Sequence, residues 1–186
     1  MSGVGKGIER VEVRLKWDPS PLGQPPTDLD VVAGPYERAG LRPLPGSGGG
    51  SAGPAYVVHY DSRSPDGTIW LNHDSRTGQG FGWDEVMTLD LGRLSERYDR
   101  VVVGVTIQQR PVRRDFAGVL HPAFEVVEGY AVLAAGDFTE VAGSVAATVA
   151  EFRRRDSGAW EFHAALRGYD TDSDTFIRTL GDSAPA

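Results

Sequence analysis

Apolar residues return at every second position in several short stretches of this chain. Val11, Val13, Leu15 and Trp17 alternate with Glu12, Arg14 and Lys16, the period of a strand with one face buried and one in water. The same period recurs at Met87, Leu89 and Leu91, at Val145, Ala147 and Val149, and at Trp160, Phe162, Ala164 and Leu166. Val101 to Ile107 is nearly continuous, which predicts a central strand buried on both faces. Ala55 to Tyr60 and Thr68-Ile69-Trp70-Leu71 predict two more strands, and Asp28-Leu29-Asp30-Val31-Val32 begins another. Phe124, Val126 and the run from Tyr130 to Leu133 predict a hairpin around Glu128-Gly129. Only Asp174 to Leu180 reads as a helix, with Asp172 or Ser173 as its N-cap. About nine or ten strands at short spacing predict an all-β, two-sheet β-sandwich with a short C-terminal helix.

Composition narrows this picture. The 186 residues are expected to form one domain over 1–186. The 24 glycines and 12 prolines suit a turn-rich β design. Residues 43–54, rich in Gly, Ser and Pro, read as a flexible surface loop, and 182–186 as a disordered tail. The Gly-rich loop is no phosphate cradle, because no Lys-Ser/Thr pair follows and Pro54 leads into a predicted strand. The chain has no cysteine, which excludes disulfides, thiolate zinc sites and a cysteine nucleophile, and fits a cytoplasmic location. Met1 to Lys6 shows no apolar core of a secretory signal, and no run approaches the ~18 apolar residues of a membrane span.

Charge is uneven around the net value of −7. Asp61 to Asp90 holds six acids against Arg63 and Arg76, and Arg93 to Arg114 holds six arginines against Glu96 and Asp99. The first block suits a cation. The second reads mostly as a solvated face, with Arg110, Arg113 and Arg114 as candidates for contacting a protein partner. Overall acidity argues against nucleic acid, whose binding rests on a positive field.

The stretch from Asp61 to Glu85 carries the most specific chemistry. Ser64-Pro65-Asp66-Gly67 predicts a tight turn. After the strand that follows, Gly78, Gly80 and Gly82 interrupt an acidic loop. Such a backbone can turn its carbonyls toward one point, and carboxylates flank it, as a hard cation with six to eight loose oxygen ligands requires. Asp28 and Asp30 stand two apart on a strand, so both carboxylates face one way, and a cation between them removes their repulsion. The loop is not an EF-hand, because Arg76 stands at the third position of the motif counted from Asp74. The expected ligands are Asp28, Asp30, Asp74 and Asp84 or Glu85, completed by carbonyls around Gly78 and Gly80, with Asp61, Ser75 and Gln79 as supporting or second-site residues.

Catalytic signatures are sparse. His59, His73, His121 and His163 form no close pair, and there is no G-x-S-x-G. Paired carboxylates beside Trp70, Phe81 and Trp83 leave a carbohydrate-acting enzyme open as a rival reading.

These residues also carry a resemblance. Ser64-Pro65-Asp66-Gly67 and Asp74 to Glu85 resemble the S-P-D-G and D-N-x-T-G-x-G-x-G-D-D-E calcium loop of the TerD family. Trp17-Asp18, Asp28-Leu29-Asp30, Val101 to Ile107, Gly158-Ala159-Trp160-Glu161-Phe162 and Gly168-Tyr169 match further family motifs in order. The resemblance implies a β-sandwich that binds calcium and works in tellurite or other chemical stress, within membrane-linked or metal-sensing assemblies and without catalysis of its own. It also implies two ions. Here Gln79, Phe81 and Trp83 stand where the family has acids, and Ser75 where Asn is common, so one ion is expected and the second site is degraded. A protein-interaction module with a decayed metal site is the alternative.

Overall fold

The computed structural model describes residues 7–41, 53–109 and 112–180. Among these, nine strands and one α-helix follow in the order β1 (Arg10–Asp18), β2 (Leu29–Glu37), β3 (Ile69–His73), β4 (Glu85–Asp90), β5 (Tyr98–Ile107), β6 (Leu120–Glu128), β7 (Ala131–Asp137), β8 (Ala146–Arg154), β9 (Trp160–Tyr169) and α1 (Ser173–Thr179), with short 3-10 turns at Phe116–Gly118 and Thr139–Val141. They form two antiparallel sheets, β3-β4-β1-β6-β7 and β2-β5-β8-β9. The alternating apolar residues of both sheets meet in one core that includes Val11, Val13, Leu15, Met87, Val103 and Phe152. This is the expected β-sandwich with its short C-terminal helix. No helix among the described residues is long and apolar enough to cross a membrane.

Chain direction places the functional end. Every sheet neighbour is antiparallel, so β1, β3, β5, β7 and β9 all finish at the end where β2, β4, β6 and β8 start. The loops 19–28, 74–84 and 108–119 therefore share one end of the sandwich.

β5 is buried throughout Val101 to Ile107, and its second cover is α1. Phe176 and Leu180 pack on Val32, Val102 and Ala146, on the face of the sheet away from the main core. Asp172 is the N-cap, its carboxylate accepting from Thr175 N at 2.9 Å.

Two expectations change. Ala55 to Tyr60 is not a strand. It makes one isolated bridge to β2, between Ala33 and Val58. Ala55 N still donates to Pro35 O at 2.7 Å, but Pro35 has no N–H to return, so a second reciprocal pair cannot form there. In β9 the alternation Trp160, Phe162, Ala164, Leu166 does not translate into alternating burial, and only Trp160 is fully buried. β9 is an edge strand whose register against β8 shifts between Thr148 and Ala150. The loop 43–54 lies almost wholly, and the tail 182–186 wholly, outside the described residues.

The predicted turn at 64–67 holds the 53–60 segment down. Asp66 accepts from Thr68 N at 2.9 Å, Thr68 Oγ1 at 2.7 Å and Tyr56 Oη at 2.6 Å. Burial pushes the Asp66 carboxyl up, but these hydrogen bonds outweigh it and hold it below the ordinary value. Its contribution to stability is therefore present above the unfolded-state value and is lost as pH falls through the lower folded one. Asp66→Ala is expected to cost about 1–3 kcal/mol at pH 7 and to flatten the acid limb of a pH–stability curve, as denaturant melts between pH 2 and 7 would measure.

Candidate metal site

The acidic loop and β2 meet over the start of β4. Asp30, Asp74 and Glu85 each bring a carboxylate oxygen within 4.8 Å of the other two. A cavity of about 140 Å³ opens beside them, lined by Asp28, Asp30, Tyr60, Asp74, Arg76 and Gln108. The cluster and the cavity draw on segments far apart in sequence. Asp28 precedes β2 and Asp30 lies at its start, Asp74 follows β3, Glu85 opens β4 and Gln108 follows β5.

Glu85 is the unusual member. It is 0% exposed, in a chain where fully buried carboxylates are expected only with partners. Its Oε2 accepts from Val31 N at 2.5 Å, whereas Oε1 is buried and makes no hydrogen bond among the described residues. Burial, then the neighbouring charge of Asp30, pushes its carboxyl well above the ordinary range, and Asp74 adds to this. Asp30 is held by Gln108 Nε2, which donates to Oδ2 at 2.5 Å. Gln108 N donates to Asp28 O at 2.9 Å and so pins β5 to the start of β2. Asp74 lies 4.0 Å from Arg63 Nη1, a weak ion pair on an exposed arginine.

Not every expected ligand converges. Asp84 turns toward β1, where its Oδ2 accepts from Trp17 N at 2.9 Å, near Asp18, Lys16 and His73. Burial raises its carboxyl and the Trp17 hydrogen bond opposes that. Gly78 takes φ 68° and packs on Trp17, where an added Cβ would lie 2.6 Å from Nε1. That close approach is why a glycine stands there. Trp17 Nε1 in turn donates to Thr27 O at 3.0 Å, joining the acidic loop to the 19–28 loop. Gly80 and Gln79 are exposed. Ser75 Oγ accepts from Gly78 N at 3.2 Å and shapes the loop. Asp61 is exposed, and its backbone N–H donates to His59 Nδ1 at 3.4 Å. Tyr60 and Gln108 went unmarked by the sequence, since no spacing rule ties them to the acidic loop.

The other candidates sort out similarly. Arg113 bonds Asp115, Asp170 Oδ1 at 2.5 Å and Gly143 O at 3.0 Å. Arg114 reaches Ser20 Oγ at 3.2 Å and also contacts Thr27 Oγ1. Both arginines brace loops at the site end, and Arg110 lies outside the described residues. Trp70 and Trp83 carry cations on their rings, Arg10 and Lys16 respectively, each at 5.1 Å. Each cation covers one face of its ring, whereas Phe81 is exposed.

A β-sandwich with an acid-lined cavity at one loop end, where three close carboxylates could hold a metal ion, defines the class. The profile of the TerD domain matches residues 1–179, and the chain belongs to the TerD domain family. It is 29% identical over 173 residues to a tellurium resistance protein TerD from Alcaligenes sp., covering 91% of this chain and 85% of that one. Among solved structures, a protein of unknown function, SAV2460, superposes with TM-score 0.87 at 57% identity, covering 96% of this chain and 100% of that one. A homologue of telluride resistance protein TerD, SCO6318 from Streptomyces coelicolor A3(2), superposes with TM-score 0.86 at 49% identity and the same coverage.

Proposed function

We propose that this chain is a calcium-binding, non-catalytic module of a tellurite or chemical stress response, holding one ion between Asp30, Asp74 and Glu85, with Asp28 alongside. The observation that carries the reading is Glu85, a fully buried carboxylate with one oxygen that meets no N–H or hydroxyl donor and two acids beside it. Such a group is costly to bury without a counter-charge. A divalent cation supplies that charge, and an all-carboxylate donor set favours a hard ion. Calcium is preferred over magnesium, because oxygens drawn from separate loops suit loose coordination better than a strict octahedron. The stress assignment rests on relatives named for tellurium resistance. A cysteine-free composition is compatible with work in the cytoplasm.

Isothermal calcium titration of the metal-stripped chain tests this. The expected stoichiometry is near one, with a rise in melting temperature, because the ion binds the native state alone. Asp30→Asn or Asp74→Asn is expected to remove most of that rise. Asp172→Asn, which replaces one good helix cap with another at a residue outside the carboxylate cluster, is expected to leave it intact. A flat isotherm at millimolar calcium would transfer the chain to the interaction-module reading.

A further inference from the structure

β9 has the period of a half-buried strand without the burial. Phe162, Ala164 and Leu166 are spaced to share one face, and Glu161, His163, Ala165 and Arg167 the other. Phe162 and Leu166 pack against the main core yet stay partly open, and Ala164 is exposed. The strand is last in its sheet. Ile8 bridges its first residue, Trp160, and among the described residues no strand pairs with the rest of that edge. β9 has neither proline nor lysine, two residues that commonly blunt an open edge. β2 lies over β4, so β9 and β7 are the two edges on the opposite side of the sandwich. Val132 of β7, 58% exposed, makes that side more apolar still.

Charge is unmatched there too. Arg167 is exposed and makes no hydrogen bond or ion pair among the described residues. Glu161, on the same face, meets Arg155 and, at 3.9 Å, His163, and its carboxylate can accept from a further donor. In an antiparallel pair, opposite residues point to one face, so two copies of β9 can meet only with core-side residues opposite each other. Centring such a pair on Ala164 sets Phe162 opposite Leu166 of the second copy and Glu161 opposite its Arg167, each twice by symmetry. Moving the centre to a neighbouring residue spoils this. At His163 that side chain meets itself, at Ala165 it meets Arg167, and in both cases Glu161 loses the arginine. β7, whose one charged residue is Asp137, offers no such pairing of charges.

We propose that the chain self-associates through β9, two copies pairing antiparallel about Ala164 so that their four-stranded sheets become one continuous sheet. The inference goes beyond the metal reading and does not depend on it. Backbone N–H and C=O groups of the open edge supply the attraction, and the Phe162–Leu166 and Glu161–Arg167 contacts between copies fix the register. The second copy gives Phe162, Ala164 and Leu166 the cover that their spacing calls for and that a single chain does not provide. Antiparallel pairing points the two acidic loop ends in opposite directions, so both cavities stay open.

Sedimentation equilibrium of the full chain tests this. The intact chain is expected to form a dimer that dissociates on dilution. Glu161→Arg and Arg167→Glu each set like charges at both 161–167 contacts, and each should weaken the dimer about tenfold or more. An equimolar mixture of the two variants restores opposite charges at both contacts and should dimerise as the parent does. The chain has no cysteine, so Ala164→Cys reads the register separately. Opposed Cα atoms in such a pair stand about 4.5–5.5 Å apart, within disulfide reach. Mild oxidation should link Ala164→Cys into a covalent dimer and leave Ala39→Cys, exposed just after β2 at the other edge of the sheet, largely unlinked. A chain that stays monomeric up to about 1 mM overturns the proposal. So does a dimer that either charge variant keeps at full strength, a mixture no more dimeric than its parts, or linking of Ala39→Cys as fast as Ala164→Cys.

Discussion

Glu85→Gln is expected to raise the melting temperature of the calcium-free protein and to abolish most of the stabilisation by calcium. Glu85 is wholly enclosed, and only one of its oxygens accepts from an N–H. Ionised without a cation, it adds a buried charge next to Asp30 and Asp74. Glutamine keeps the shape. Its oxygen can still accept from Val31 N, and its amide can donate to the neighbouring carboxylates. Relief of about 2 kcal/mol is expected from neutralising a buried, under-partnered charge, or roughly 4–8 °C in a chain of this size. The sign follows from the raised folded value: between 4.5 and that value the native state holds more protons than the unfolded one. The contribution of Glu85 is therefore complete below pH 4.5 and is lost as pH rises through the folded value. Calorimetric scans from pH 4.5 to 8 in chelator should show this decline in the parent and its loss in Glu85→Gln. With calcium the order reverses, because the neutral amide contributes no charge, and affinity should fall about tenfold or more. A calcium-free variant that melts below the parent at pH 7 would contradict the burial argument.

Phe176→Ala is expected to cost about 3–5 kcal/mol, the range for truncating a buried aromatic, and to detach α1. Phe176 is 0% exposed and sits over β5, with Gly104 directly beneath its ring. A Cβ on Gly104 would lie 2.7 Å from Phe176 Cζ and 3.0 Å from Ala147 O. Gly104→Ala is thus expected to cost about 1–3 kcal/mol by overpacking, less than emptying the site. The contrast is readable in denaturant midpoints, with amide exchange along Val102 to Thr106 increasing in Phe176→Ala. An unchanged midpoint in Phe176→Ala would mean that α1 adds no cover to the sheet.

Much of this was legible before folding, for reasons that lie in particular residues. Val11, Val13, Leu15 and Trp17 alternate because β1 buries one face, and the structure follows that period without a break. Val101 to Ile107 is apolar at nearly every position because β5 lies between the main core and α1. Asp172 could be read as a cap because its carboxylate meets an N–H three residues on. Ala55 to Tyr60 misled because an apolar run says nothing about whether a full ladder partner exists, and Pro35 on β2 can accept from Ala55 N but has no N–H to donate.

Local sequence, through side-chain period, turn chemistry and the acidic glycine loop, determined the sandwich, its helix and the segments from which a cation site is built. Neighbouring residues set those features, so they are visible in order along the chain. Tertiary structure alone decided which carboxylates meet. Glu85 and Asp84 are adjacent and chemically alike, yet the pleat sends Glu85 to Asp30 and Asp74 and leaves Asp84 on the backbone of Trp17. Gln108 and Tyr60 join the same cavity only because β5 and the 53–60 segment pack beside β2. Those distances depend on strand order and register, which no local pattern encodes.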